Sequence, residues 1–474
     1  MVPTEIANLI AGERVAARSG EWLDKLRPSD GTLLCRVARS QAVDADAAVA
    51  AARAAQPAWA ELTPVARGDV VRDVALLLRA RRREASELVV EETGKPLEPA
   101  LGETDAAVEM GLFVAGEGRR SYGRTLSASM PHRTVLTVRQ PLGVAALLAS
   151  FNTPLPNVAW KAFPAIFCGN AAIFKPSEHT PASAHLFGEL AREAGVPDGV
   201  LNVLQGLGPE AGAALVEHPD VDLVSFTGSA RTGRLVNEAA ARRLAKVCLE
   251  LGGKNALVVC ADADLPNAVR WTLASAFSNA GQRCASASRV VVEGAVYERF
   301  RDLLLEGTQR LEPQPVISEE SMDAILEALG RAASDGATVV CGGERLDRPG
   351  WYLAPTVLEG AAPDAEISRT ELFGPVTILY RTHDLEHAIE LVNDSPYGLT
   401  AAVHTSSLHR ALRFAERVQA GVVVVNAGTH GSEPHMGFGG VKQSGTGWRE
   451  AGVEALDVYS DLKVVNLVAD PALT

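Results

Sequence analysis

An α/β protein with a largely parallel sheet, divided into two or three domains, is what this sequence predicts. Three observations carry the prediction. The chain has 474 residues, too many for one ordinary hydrophobic core. Its residues are 47% hydrophobic and 22% charged, the balance of a globular chain with ample material to bury. From residue 134 onward, short apolar runs alternate with stretches of helical pattern, as strand–helix–strand units do.

Taken in order, residues 43–92 are helical in pattern. Val43-Asp44-Ala45-Asp46 opens an Ala-rich stretch, and Thr63-Pro64 places an N-cap before a proline at the first helical position. Residues 134–138 and 143–149 are expected as strands, and 181–193 as a helix. Strands follow at 201–204, 223–226 and 256–259, with helices near 208–217 and 233–240 between them. A second α/β stretch covers roughly 255–425. The tail, Val464-Val465-Asn466-Leu467-Val468, alternates like an edge strand, which needs covering; a partner subunit is one cover.

The net charge of −13, from 58 acidic against 45 basic residues, argues against nucleic acid or an anionic membrane as a partner, since both require a basic face. The start, Met1-Val2-Pro3-Thr4-Glu5, has no basic segment followed by an apolar one, so no signal peptide is expected. The apolar run at 144–151 is far short of the ~20 residues of a membrane span. Cys35, Cys168, Cys248, Cys260, Cys284 and Cys341 form no CxxC pair and no dense framework. No metal site is expected, and a reduced, cytoplasmic protein fits best. Five of the six are expected to be small buried hydrophobes.

Three segments hold side chains suited to carbonyl chemistry. In Phe277-Ser278-Asn279-Ala280-Gly281-Gln282-Arg283-Cys284 a thiol, the best side-chain nucleophile for a carbonyl carbon, stands among small neighbours that admit a substrate. In Leu249-Glu250-Leu251-Gly252-Gly253-Lys254 a carboxylate sits between leucines, where a raised pKa suits general-base work on water. In Ala149-Ser150-Phe151-Asn152-Thr153-Pro154 an amide stands in a turn after a buried strand, placed to donate to an oxyanion. Read singly, each has a bland alternative: a packing cysteine, a solvated loop glutamate, an Asx-type turn.

Their order and spacing, with the strings around them, resemble the aldehyde dehydrogenase superfamily. So do Phe174-Lys175-Pro176-Ser177-Glu178, Phe226-Thr227-Gly228-Ser229, Glu371-Leu372-Phe373-Gly374-Pro375 and Phe438-Gly439-Gly440-Val441-Lys442-Gln443-Ser444-Gly445, colinear over nearly the whole chain. The resemblance implies a Rossmann-type cofactor domain (1–120 and 140–252), an α/β catalytic domain (253–425) and a small β oligomerisation element (121–139 and 455–474) that builds a homodimer or homotetramer. It implies that Cys284 attacks the aldehyde, that Asn152 and the Cys284 N–H hold the oxyanion, and that water activated by Glu250 hydrolyses the thioester. Relatives that pass the acyl group to coenzyme A or phosphate lack this base. An acylating enzyme, or a non-catalytic binding protein keeping the fold, are the alternatives.

For the cofactor, the resemblance places Lys175 and Glu178 at the adenosine ribose, Glu371 at the nicotinamide ribose and Phe373 beside the nicotinamide. Gly228 and Ser229 open the helix whose N-terminus faces the pyrophosphate. Glu178 would repel a 2′-phosphate, so NAD is expected, while NADP stays open because relatives with the same motif swing that glutamate aside. The Gly206-Leu207-Gly208-Pro209-Glu210-Ala211-Gly212 turn imitates a dinucleotide fingerprint. Its spacing is one residue too long, and Pro209 offers no N–H to a phosphate, so a minor role is expected.

The segment Asn426-Ala427-Gly428-Thr429-His430-Gly431-Ser432-Glu433 is similar to the anchor loop of aminoadipate-semialdehyde dehydrogenases. The similarity implies that Arg283, Thr429, His430 and Ser432 grip an anionic tail, carboxylate or phosphonate, with Phe438 also lining the substrate site. Arg283 paired with a structural carboxylate is the other reading. One departure stands out: at Leu311-Glu312-Pro313-Gln314-Pro315-Val316-Ile317-Ser318 relatives usually carry a longer loop. The shortening removes surface, not chemistry, and bears on the pocket rim or a subunit contact.

Overall fold

The Ala-rich stretch folds as expected, into helices Ala42–Glu61, Pro64–Ala80 and Arg82–Thr93 in the computed structural model, which describes residues 2–121 and 123–469. Thr63 caps the second, its hydroxyl accepting from the Ala66 N–H at 3.2 Å, and Pro64 fills the position where an N–H has no partner to lose. Gly94 ends the third in a left-handed turn, at φ 73°, that a side chain would resist.

Two seven-stranded sheets follow. In the first, Lys246–Leu251, Leu223–Gly228, Val144–Leu148, Ala171–Lys175 and Leu201–Val203 lie in that order and run parallel, and Asn8–Ile10 and Glu13–Val15 extend the edge antiparallel. Chain order reverses between Val144–Leu148 and Leu223–Gly228. In such sheets ligands bind in the crevice beyond the carboxyl ends of the strands at that reversal. Asn152 follows one of these two strands and Gly228 ends the other. Helices Pro154–Phe167, Pro181–Glu193 and Ala230–Ala241 make the crossovers, and both faces of the sheet are packed, so the central strands are mainly apolar.

The second sheet orders Thr338–Cys341, Thr356–Glu359, Val376–Thr382, Ala287–Glu293, Asn255–Val259, Thr400–His404 and Val422–Val425, parallel except for its first strand. Gly252-Gly253-Lys254 is all that separates the last strand of one sheet from the first of the other. A third, antiparallel sheet joins Thr125–Leu126, Arg133–Pro141 and Ser460–Val468, the last two in register over nine pairs from Ser460↔Pro141 to Val468↔Arg133. Residue 122 and residues 470–474 of the expected oligomerisation element lie outside the described residues. Among the described residues no helix is long and apolar enough to cross a membrane.

Three differences from the sequence reading have physical causes. Residues 134–138 belong to this antiparallel sheet and not to the parallel one, because their partner is the distant C-terminal strand. The four short strands between Asn8 and Ala38 carry too few alternating residues to announce themselves. Lys246–Leu251 is a strand with a glutamate in it, which periodicity alone does not separate from a turn.

Candidate active site

Strand ends and one strained loop bring the chemical side chains together. Asn152, Gly228, Ser229, Glu250, Arg283, Cys284, Glu371, Phe373, His430, Ser432 and Phe438 all line one cavity of about 690 Å³. That is the size range of small-molecule sites.

The loop before Cys284 explains how a sulfur stays open to the cavity among apolar strands. Asn279, Ala280 and Gly281 have φ of 55°, 52° and 68°, three left-handed residues in succession. Strain of this kind survives only where surroundings over-determine it. Here Asn279 Nδ2 donates to the carbonyls of Asn152 and Gln282, Gln282 Nε2 donates to Pro315 O, and Gln282 Oε1 accepts from Ile317 N at 2.9 Å. Asn255 Nδ2 holds the Cys284 carbonyl at 2.7 Å. At Gly281 any Cβ would overlap the Gly374 carbonyl, so the glycine is obligatory. The Cys284 thiol is pushed up to about 12, by burial first and then by Glu371 and Glu250, with Arg283 opposing. Burial thus favours the protonated thiol over the thiolate.

Glu250 is 5% exposed and not a loop residue: its strand is sandwiched between Leu223–Gly228 and the chain at Ser444–Thr446, whose Ser444 O accepts from Leu251 N at 2.9 Å. Neither carboxylate oxygen has a hydrogen-bond partner among the described residues. Burial and the nearby Glu450 raise its pKa well above the usual range, against the pull of Lys161 and Arg449. Behind it sits a cluster the sequence reading missed. Lys161 Nζ lies 2.6 Å from Glu450 Oε1 and 2.8 Å from Ser225 Oγ, fully enclosed. The signal was present: Lys161 stands in Val158-Ala159-Trp160-Lys161-Ala162-Phe163, an otherwise apolar run of its helix, where a lysine implies a buried acid.

Asn152 Oδ1 accepts from Asn157 Nδ2 at 3.3 Å, and its backbone carbonyl is fixed by Lys95 and Asn279. The residue is thus not an Asx turn, and its NH2 has no protein acceptor among the described residues. Lys95 in turn pairs with Glu103, buried in the same wall.

Of the residues expected to hold the cofactor, Glu371 accepts at Oε1 from Gly253 N at 3.1 Å and its carboxylate covers Gly252, where a Cβ would overlap Oε2. Burial raises Glu371 to about 7 against the Gly253 hydrogen bond and Lys254. Phe373, at φ 55°, stands edge-to-face with Phe151 at 5.6 Å. Ser229 caps helix Ala230–Ala241, its hydroxyl accepting from Thr232 N at 3.2 Å. Lys175 and Glu178 do not line this cavity. They stand at the carboxyl end of the neighbouring strand, Lys175 Nζ donating to Pro176 O at 2.7 Å and lying 3.9 Å from Glu178 Oε2. The Gly206–Gly212 turn is engaged in structure, Glu210 pairing with Arg39.

The tail residues divide. Arg283 has no carboxylate within 4.0 Å among the described residues; its Nε donates to Ser278 Oγ at 3.3 Å. His430 faces Trp271 at 6.3 Å, its Nδ1 has no partner among the described residues, and burial followed by Arg283 holds it down to about 4, hence neutral. Phe438 packs on Trp160 at 5.6 Å. Thr429 requires correction: its hydroxyl donates to Ala285 O at 2.6 Å and its N–H to Ser275 Oγ, and it is 1% exposed. It pins the anchor loop to the residue after Cys284 and cannot touch a substrate tail.

A family model for the aldehyde dehydrogenase family matches residues 15–465. The chain belongs to the aldehyde dehydrogenase family. This aldehyde dehydrogenase is accordingly an NAD(P)-dependent oxidoreductase. It is 34% identical over 473 residues to an alpha-ketoglutaric semialdehyde dehydrogenase of Bacillus subtilis, covering 97% of each chain. It is 37% identical over 465 residues to an NADP(+) succinate-semialdehyde dehydrogenase of Escherichia coli, covering 96% of each. An NAD-dependent aldehyde dehydrogenase from Sinorhizobium meliloti superposes with a TM-score of 0.96 at 35% identity, covering 100% of this chain and 97% of that one.

Proposed function

We propose that this aldehyde dehydrogenase oxidises a small semialdehyde with an anionic tail to the carboxylic acid, through a thiohemiacetal and a thioester on Cys284. The observation that carries the reading is the convergence of Cys284, Asn152 and the unpartnered carboxylate of Glu250 on one cavity. The Cys284 sulfur bonds to the aldehyde carbon, and its proton passes to bulk solvent through water in the cavity. The Asn152 NH2 and the Cys284 N–H hold the oxyanion. NAD(P)+, when bound, supplies the acceptor for the hydride whose loss turns the thiohemiacetal into the thioester. Glu250 then takes a proton from water as its oxygen attacks the acyl carbon, and acid and thiol separate. A raised pKa makes Glu250 the stronger base for that step.

The site suits a dinucleotide. Gly228 and Ser229 offer the start of a twelve-residue helix to an anion, and Glu371 lies over two glycines with one oxygen free for a ribose hydroxyl. Glu178 favours NAD over NADP by repelling a 2′-phosphate. The anionic tail is supported by the unpaired Arg283, with His430 and Ser432 beside it, and by the two semialdehyde-oxidising relatives. Free cysteines throughout the described residues support a reducing, cytoplasmic setting. The proposed division places residues 1–120 and 140–252 with the cofactor and 253–425 with the nucleophile.

Glu250→Gln tests the hydrolytic step. The variant should release a burst of NADH near one per active site and then stall, while the parent turns over without coenzyme A or phosphate. Strict dependence of the parent on either acceptor would favour the acylating alternative, and normal steady-state turnover by the variant would remove Glu250 from the base role.

A further inference from the structure

Lys95 stands where two parts of the proposed machinery meet. It occupies the short turn between helices Arg82–Thr93 and Leu97–Gly116, with Gly94 left-handed before it and Pro96 restricting its backbone from behind. Its side chain is buried in the wall of the catalytic cavity, where Nζ pairs with Glu103 and donates to the Asn152 carbonyl at 2.9 Å. That same carbonyl accepts from Asn279 Nδ2 at 3.1 Å, so one oxygen ties the residue bearing the proposed oxyanion donor to the loop bearing Cys284. The turn reaches that loop a second way. A Cβ on Gly94 would overlap the Pro315 ring, and Pro315 O accepts from Gln282 Nε2 at 3.3 Å.

Stability does not explain a lysine here. A buried ion pair is often no more stabilising than apolar side chains of the same volume, so methionine opposite leucine would serve packing as well. What the pair adds is a charged donor, roughly twice as strong as a neutral one, fixed on one particular carbonyl. The Asn152 side chain itself is held only by Asn157 Nδ2, at a long 3.3 Å, so the aim of its NH2 depends on where its backbone sits.

We propose that Lys95 is a positioning residue for the oxyanion site: steadied by Glu103, its ammonium fixes the Asn152 peptide relative to the Cys284 loop, and thereby aims the Asn152 amide at the oxyanion. The inference rests on Asn152 being an oxyanion donor.

A double-mutant cycle of Lys95→Met and Asn152→Ala tests it, with propanal as substrate at saturating NAD+ and NAD+ affinity measured separately by fluorescence titration. Each single variant should lose about a hundredfold in kcat and in kcat/KM alike, with NAD+ affinity within about twofold of the parent. The two together should fall no more than about threefold below Asn152→Ala, because Lys95 acts through that amide. Losses that multiply, to about ten-thousandfold, would overturn the proposal, as would a loss confined to KM. Lys95→Met leaves Glu103 without its cation; should that variant not fold, Lys95→Met combined with Glu103→Leu removes both charges and should show the same loss and the same failure to multiply. Parent-like activity of Asn152→Ala would overturn the oxyanion reading and this inference with it. A deep loss in Asn152→Ala beside parent-like Lys95→Met would overturn the inference alone.

Discussion

Glu250 shows what its proposed role costs the fold. A carboxyl group in the unfolded chain ionises near ~4.3, whereas burial and Glu450 hold the folded group's pKa well above that. As pH rises past the unfolded value, the unfolded state gives up its proton while the folded state keeps it. Stability contributed by this group is thus complete at low pH and is lost as pH climbs toward the raised folded value. Glu250→Gln should accordingly lose less Tm between pH 5 and pH 8 than the parent does; equal losses would place the carboxyl in a better-solvated site. Arg283 carries the second residue-scale prediction. Arg283→Leu should raise KM for 4-oxobutanoate at least about tenfold, the scale of one charged hydrogen-bonded pair, with little effect on propanal. Equal effects on both would show that the guanidinium only packs.

At the scale of elements, the turn Gly252-Gly253-Lys254 does two jobs. It ends the strand bearing Glu250, and its missing side chain admits the Glu371 carboxylate from the loop before strand Val376–Thr382. Gly252→Ala should displace Glu371 and raise KM for NAD+ by about tenfold or more, because small misplacements at reacting groups are expensive. Cys284, whose thiol Glu371 helps to push up, should react with a small thiol reagent no more slowly than in the parent, which shows that the nucleophile's loop has kept its shape. An unchanged KM would mean that Glu371 does not reach the cofactor. The nucleophile loop makes the same point from the opposite side. Its three left-handed residues hold their shape because Asn279, Gln282 and Asn255 tie it to Asn152, to Pro315 and Ile317, and to its own carbonyls.

At the scale of the whole molecule, the strand Ser460–Val468 has one edge unpaired among the described residues, and Leu462, Val464, Leu467 and Val468 are each more than half exposed. A long apolar edge of this kind invites pairing with another chain. We propose that it builds the homodimer or homotetramer. Sedimentation of the parent should give one of those masses, and Val464→Arg should shift it toward monomer with the fold retained by circular dichroism. A monomeric parent at micromolar concentration would end that proposal. The same strand is tied inward at its start, where Lys246 Nζ donates to the carbonyls of Asp457 and Ser460.

Much of this protein is determined by local sequence. The α/β class follows from alternating apolar runs, the Thr63 cap from its proline, and the candidacy of Cys284, Glu250 and Asn152 from side-chain chemistry joined to the order of their motifs. Local sequence is silent wherever a partner comes from far along the chain. Thr429 looks like a substrate contact in the Gly-Thr-x-Gly-Ser-Glu string, yet its hydroxyl goes to Ala285, a choice that only the packing of two distant loops makes. Lys161 and Glu450, 289 positions apart, become an ion pair only when the C-terminal segment crosses the strand of Glu250. The protonation of Cys284 and Glu250 also belongs to tertiary structure, because desolvation is a property of everything packed around a group and not of the group's neighbours in sequence.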